Sequence, residues 1–119
     1  MTIRISTDLV PLAVEKRTRE PAFLKINVRN DSPKPQLLSL ELRTDQKLSF
    51  SKAGTGNSAR AELGALEPGQ SASFGAYLHP SYLGQNASES AVEITVNEHY
   101  QDYAHIVKRH KKSISVRLV

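Results

Sequence analysis

The chain contains no cysteine. That single absence excludes disulfides, thiolate metal sites and cysteine nucleophiles. It also has no tryptophan, four tyrosines and three phenylalanines, so an aromatic platform for stacking bases or sugars would be sparse. No run approaches the roughly 20 apolar residues that a membrane helix needs, and no membrane insertion is expected. The opening Met-Thr-Ile-Arg-Ile-Ser-Thr-Asp has no apolar stretch ahead of a small-residue cleavage site. A cytoplasmic location is therefore expected; an extracellular or cell-surface one would require that an export signal had been removed.

What is present suits a folded domain. The 119 residues lie near the commonest domain size. Hydrophobic residues make up 39% and charged residues 24%, which excludes a disordered chain. Neither a repeat nor a linker is visible, so residues 1–119 read as one domain. The net charge of +4 is unevenly placed. Residues 1–60 hold 11 basic and 6 acidic side chains, residues 61–99 hold 5 acidic and no basic ones, and residues 100–119 are again basic. A uniformly basic nucleic-acid surface would lack such a gap. Segments of opposite sign can pair across neighbouring strands.

The dominant period is two. Leu24, Ile26 and Val28 alternate with Lys25, Asn27 and Arg29, the pattern of a half-buried strand. Asn30 to Pro35 breaks it with turn formers and two prolines. Leu38, Leu40 and Leu42 then alternate with Ser39, Glu41 and Arg43. Leu48-Ser49-Phe50 reads as a short strand, Ser51 to Ser58 as a loop, and Ala59 to Leu66 as strand or irregular chain. Glu67-Pro68-Gly69-Gln70 has the type II turn pattern, with Pro second and Gly third. Ala72, Phe74, Ala76 and Leu78 form another row, and His79 to Ser88 reads as loop. Val92, Ile94 and Val96 are strongly β-forming, and Ile114, Val116 and Leu118 close the chain. At the start, Ile3 and Ile5 make one piece and Leu9 to Val14 another. This spacing predicts a sandwich of about seven or eight short strands.

The last two runs suggest an antiparallel hairpin in which Val96 faces Ile114 or Lys112. Beyond Val96 the inward row becomes Glu98, Tyr100 and Asp102, opposite Lys108, His110 and Lys112. Burying so many charges is costly, so the arms are expected to project beyond the sandwich as a two-stranded ribbon. Tyr100, Tyr103, Ile106 and Val107 would supply its anchors. Lys108, Arg109, Lys111 and Lys112 would supply its charge.

Chemistry is otherwise thin. His99 and His110 could meet across the hairpin, but too few further ligands are in reach for a zinc site. No Gly-x-Ser-x-Gly occurs. Gly54-Thr55-Gly56 is too short for a phosphate loop. Two sequons, at Asn30 and Asn86, matter only for a secreted chain. The run Lys108-Arg109-His110-Lys111-Lys112 has the composition of a phosphate-binding patch, and equally that of an edge guarded against aggregation.

Leu63-Gly64-Ala65-Leu66-Glu67-Pro68-Gly69-Gln70-Ser71 resembles the Leu-Gly-x-Leu-x-Pro-Gly-x-Ser element of immunoglobulin-like accessory modules, such as CARDB-type domains and those associated with α-galactosidases. Ile26 to Ser32, Leu38 to Phe50, and Val92 to Val96 followed by Tyr100-Gln101-Asp102 are similar to the flanking segments, so the likeness spans roughly residues 22–118. The resemblance implies a non-catalytic binding or spacing unit of prokaryotic, often archaeal, proteins. The expectation is thus an all-β, immunoglobulin-like antiparallel sandwich with a long, projecting C-terminal hairpin. Its expected role is a non-enzymatic protein-interaction or assembly module, with a protein partner that includes a second copy of itself. Nucleic-acid binding through the basic C-terminal segment is the alternative, and a carbohydrate-associated accessory module the third reading. No cofactor or metal is expected.

Overall fold

The computed structural model describes residues 3–17, 20–51, 56–81 and 87–119. Among the described residues nine strands run in chain order: β1 (Ile3–Val10), β2 (Ala13–Val14), β3 (Ala22–Asn30), β4 (Gln36–Thr44), β5 (Leu48–Ser49), β6 (Ser58–Leu66), β7 (Ser71–Pro80), β8 (Glu89–His99) and β9 (Ile106–Leu118). They form a four-stranded sheet, β1-β3-β7-β5, and a five-stranded sheet, β2-β9-β8-β4-β6. All pairings are antiparallel except β2 with β9, which is parallel. The chain leaves one sheet at Val10 and joins the other at Ala13. This is an immunoglobulin-like sandwich, with β5 placed on the edge of the smaller sheet.

The alternating rows explain the core. Leu24, Ile26 and Val28 of β3 face Leu38, Leu40 and Leu42 of β4 and Val92, Ile94 and Val96 of β8, and all nine are buried. Each such side chain contributes about 1.5–3 kcal/mol of burial. Gly69 sits at φ 81, and Gln70 N–H donates to Glu67 O at 2.9 Å, so the Pro-Gly turn forms as its residues dictate. Ala59 to Leu66, ambiguous in sequence, belongs to a full strand; its period is broken by a bulge at Leu63, where Gly64 takes φ 80. The piece starting at Leu9 is divided otherwise than expected: β1 runs unbroken from Ile3 to Val10.

Asn30 is fully buried, with Nδ2 donating to Lys34 O and Leu66 O and Oδ1 accepting from Ser32. Its amide holds the corner between β3 and β6, which leaves this sequon without a free acceptor nitrogen. Asn86 lies outside the described residues, as do Gly54 and Thr55.

The hairpin is long, as expected, but two details correct the reading. First, Val96 faces His110; it is Val92 that faces Ile114, and Ile94 that faces Lys112. Second, β4 flanks β8 from Val92 to His99, so the arm beyond Val96 is the middle of a sheet rather than a free ribbon. The charges expected to drive it outward are accommodated instead. Glu98 contacts His110, and their side chains are only 10% and 15% exposed. Lys112 packs its stem inward and donates from Nζ to Ile5 O at 3.3 Å.

Candidate functional site

The hairpin closes through residues 100–105, a loop built on Asp102. Its Oδ1 accepts from Ala104 N–H at 2.9 Å and lies 2.7 Å from His105 Nδ1. The His105 contact, with the Ala104 amide, holds this exposed carboxyl below its ordinary range. Gln101 takes φ 68, and Tyr100 N–H donates to His105 O at 2.9 Å. The loop returns the chain so that Tyr103 lies back over the outer face of the large sheet. Its ring meets His99 edge-on at 5.1 Å, and its hydroxyl accepts the Gly64 N–H at 3.0 Å. Tyr103 thus ties the hairpin tip to the bulge of β6.

Beneath it lies a polar cluster that sequence reasoning missed. Ser39 Oγ is 2.7 Å from His99 Nε2, and Asn97 Nδ2 donates to Ser39 Oγ at 3.4 Å. All three residues are buried on the outward side of their strands. His99 Nδ1 and Asn97 Oδ1 have no hydrogen-bond partner among the described residues. Ser39 and Asn97 are directly opposite in register, which is the signal that could have found them, had the register been known. Ser39 is fully enclosed, so a substrate carbonyl cannot approach its oxygen. The cluster's geometry suits bracing of the tip.

The same face continues into an open groove of about 470 Å³, lined by Glu41, Arg43, Arg60, Glu93, Arg109 and Lys111 among others. Register sets Arg60 against Glu41 and Arg43 against Glu93. Lys111 Nζ lies 3.7 Å from Glu93 Oε1. The groove is therefore a charge-mixed surface.

The residues singled out in sequence separate by position. Tyr100, Ile106 and Val107 are exposed together at the tip. Tyr103 is half-buried in its bracing role. Arg109 and Lys111 point to the outer groove, whereas Lys108 and Lys112 share the opposite face with His110. Val107 is the extra residue of a bulge opposite Glu98 and His99. His99 and His110, which the sequence left able to meet across the hairpin, do not: His99 opposes Ile106, and His110 opposes Val96. No group of three potential metal ligands gathers among the described residues. No helix there is long and apolar enough to cross a membrane.

The basic run also borders open backbone. β2 covers only Arg117 and Leu118 of β9. From Ile106 to Ser115, no described strand pairs with the side of β9 that faces away from β8.

No family model matches the sequence, and no curated protein matches it. In structure the chain is similar to part of native alpha-2-macroglobulin from Escherichia coli, with TM-score 0.69 and 13% identity. That likeness covers 98% of this chain and 16% of the other. It is similar as well to Pseudomonas fluorescens alkylpurine DNA glycosylase AlkC, with TM-score 0.54 and 15% identity over 98% of this chain and 30% of that one. A FixG-related protein from Vibrio parahaemolyticus matches with TM-score 0.56 and 11% identity, over 100% of this chain and 96% of that one. The chain thus spans less than a third of the first two solved chains and nearly all of the third. At these identities the likeness is one of fold: the chain is an immunoglobulin-like β-sandwich of a kind that also occurs as one part of larger proteins.

Proposed function

We propose that this domain is a non-catalytic protein-interaction module that presents its C-terminal hairpin to a protein partner. The observation that carries this reading is the juxtaposition of an open β9 edge with exposed Tyr100, Ile106 and Val107 at the tip. Exposed aromatic and aliphatic side chains beside unpaired backbone are the features that strand-binding surfaces use. Enclosure of Ser39 supports a role without catalysis. The basic run supports a protein partner over nucleic acid, because alternation splits it between two faces and Glu93 sits among the outer cations. The finer kinship with CARDB-type modules belongs to the same proposal. The Leu63 bulge and Pro68-Gly69 turn of the shared element are devices of the sandwich, and they support kinship of fold.

The test is co-purification with mass spectrometry, comparing the wild-type chain with the Tyr100→Ala, Ile106→Ala, Val107→Ala triple variant. The wild type should enrich a protein that the triple variant loses. Equal recovery by both would overturn the assignment of the hairpin as the contact surface.

A further inference from the structure

The chemistry of the open edge says more about its occupant. β2 fills the lane beside β9 for two residues only, Ala13 and Val14. The remaining lane, from Ile106 to Ser115, is about 33 Å long at strand rise. Five consecutive residues along it, Lys108 to Lys112, are basic or histidine, and none of the ten is acidic. A second β9 laid antiparallel on this edge would set those cations against their own copies. Like charges directly opposite are destabilising. The edge therefore disfavours its own copy and attracts the opposite sign.

Both faces of the lane carry positive charge, exposed Arg109 and Lys111 on one side and exposed Lys108 on the other, where Lys112 is held by Ile5 O. A partner strand must then be acidic on both of its faces. Apolar anchors stand at the two ends. Leu12, just before β2, is 82% exposed, and Val107 and Ile106 at the far end are 67% and 42% exposed.

We infer that the β9 edge binds an extended acidic segment of a partner protein, added as a further strand, with apolar residues at the segment's ends. The inference rests on the interaction-module reading and names the chemistry of its partner. Main-chain hydrogen bonds along the edge hold the strand, and Lys108, Arg109 and Lys111 select its charge.

The probe is a labelled peptide of about ten residues in which pairs of Glu alternate with pairs of Val and Thr, so that both faces carry Glu, with Ile at both ends. Two controls share its sequence: one is N-methylated at alternate residues, the other has Lys for Glu. The acidic peptide should bind the full chain and protect amides within residues 106–115 from hydrogen exchange. Raising salt from about 50 to about 300 mM should weaken it about tenfold. An Arg109→Glu, Lys111→Glu variant with an unchanged melting curve should lose binding at least as strongly. Both controls should fail to bind. Equal binding of the N-methylated peptide would overturn strand addition, since charge alone would then suffice. Sedimentation showing a dimer that the peptide dissolves would overturn the acidic partner in favour of a second copy. If the acidic peptide fails while the tip triple variant still loses its co-purified protein, this inference falls and the module reading stands. If the triple variant loses nothing, the module reading falls.

Discussion

The two sides of the five-stranded sheet avoid unwanted pairing by different means. On one side, β6 carries no net charge, with one Arg and one Glu, but is interrupted, with Leu63 bulged and Gly64 in the left-handed region. On the other, β9 has a bulge only near its start, at Val107, and is guarded along its middle by five basic or histidine residues. A bulge spoils the ladder for every partner, whereas charge spoils it only for partners of the same sign. Geometry is an indiscriminate guard and charge a selective one. The difference teaches which side can serve recognition.

The largest test removes what both sides lean on. Leu40 is fully buried in β4, and Leu40→Ala should cost about 2–5 kcal/mol in urea unfolding. Both edges should then lose exchange protection together; loss on one side only would show that they are not carried by a common core. Next, Gly64→Val should cost about 1–2 kcal/mol, because φ 80 is strained for a branched side chain although nothing lies within 4 Å of an added Cβ. A variant as stable as wild type, by thermal melting, would mean that the bulge does not need its glycine. A smaller effect is expected from Tyr103→Phe, about 0.5–1.5 kcal/mol, through the lost acceptor for Gly64 N–H. Exchange at the Gly64 amide should speed up, and an unchanged rate would remove Tyr103 from its bracing role. The smallest change in stability, within about 0.5 kcal/mol, is expected when the exposed Lys108, Arg109 and Lys111 are all replaced by Ser. That variant should nevertheless self-associate in sedimentation, and a strict monomer would show that charge is not the guard of β9.

Much of this contrast was readable in sequence, and for a physical reason. The rows Leu24-Ile26-Val28, Leu38-Leu40-Leu42 and Val92-Ile94-Val96 are apolar on one face only, so alternation specifies which side is buried. Parity in the hairpin was right from Val92 to Glu98 and from Lys108 to Leu118, where even-numbered residues face inward; it fails at Tyr100 and Asp102, which are exposed, and at Ile106, which the Val107 bulge sets opposite outward His99. Its register was not readable, because apolar rows favour matching Val96 to another apolar residue. The true match, His110, is made tolerable by Glu98 on the neighbouring row, and Lys112 finds a carbonyl in a different sheet. Such compensation is a tertiary fact with no local signal. The Ser39, Asn97 and His99 cluster was hidden similarly: three polar residues at outward positions look solvated until Tyr103 folds over their end of the sheet. Bulges at Leu63 and Val107 carried a glycine clue in the first case and none in the second.

The tie from Tyr103 to Gly64 has an optical consequence. With no tryptophan in the chain, tyrosines supply the near-ultraviolet signal, and two of the four stand in the loop at residues 100–105. Tyr100 is in solvent, while Tyr103 is oriented by an amide and an imidazole. A fixed ring gives circular dichroism near 280 nm and a mobile one gives little. The molecule therefore carries its own unlabelled reporter of whether the tip is seated, placed beside the edge where a partner would arrive.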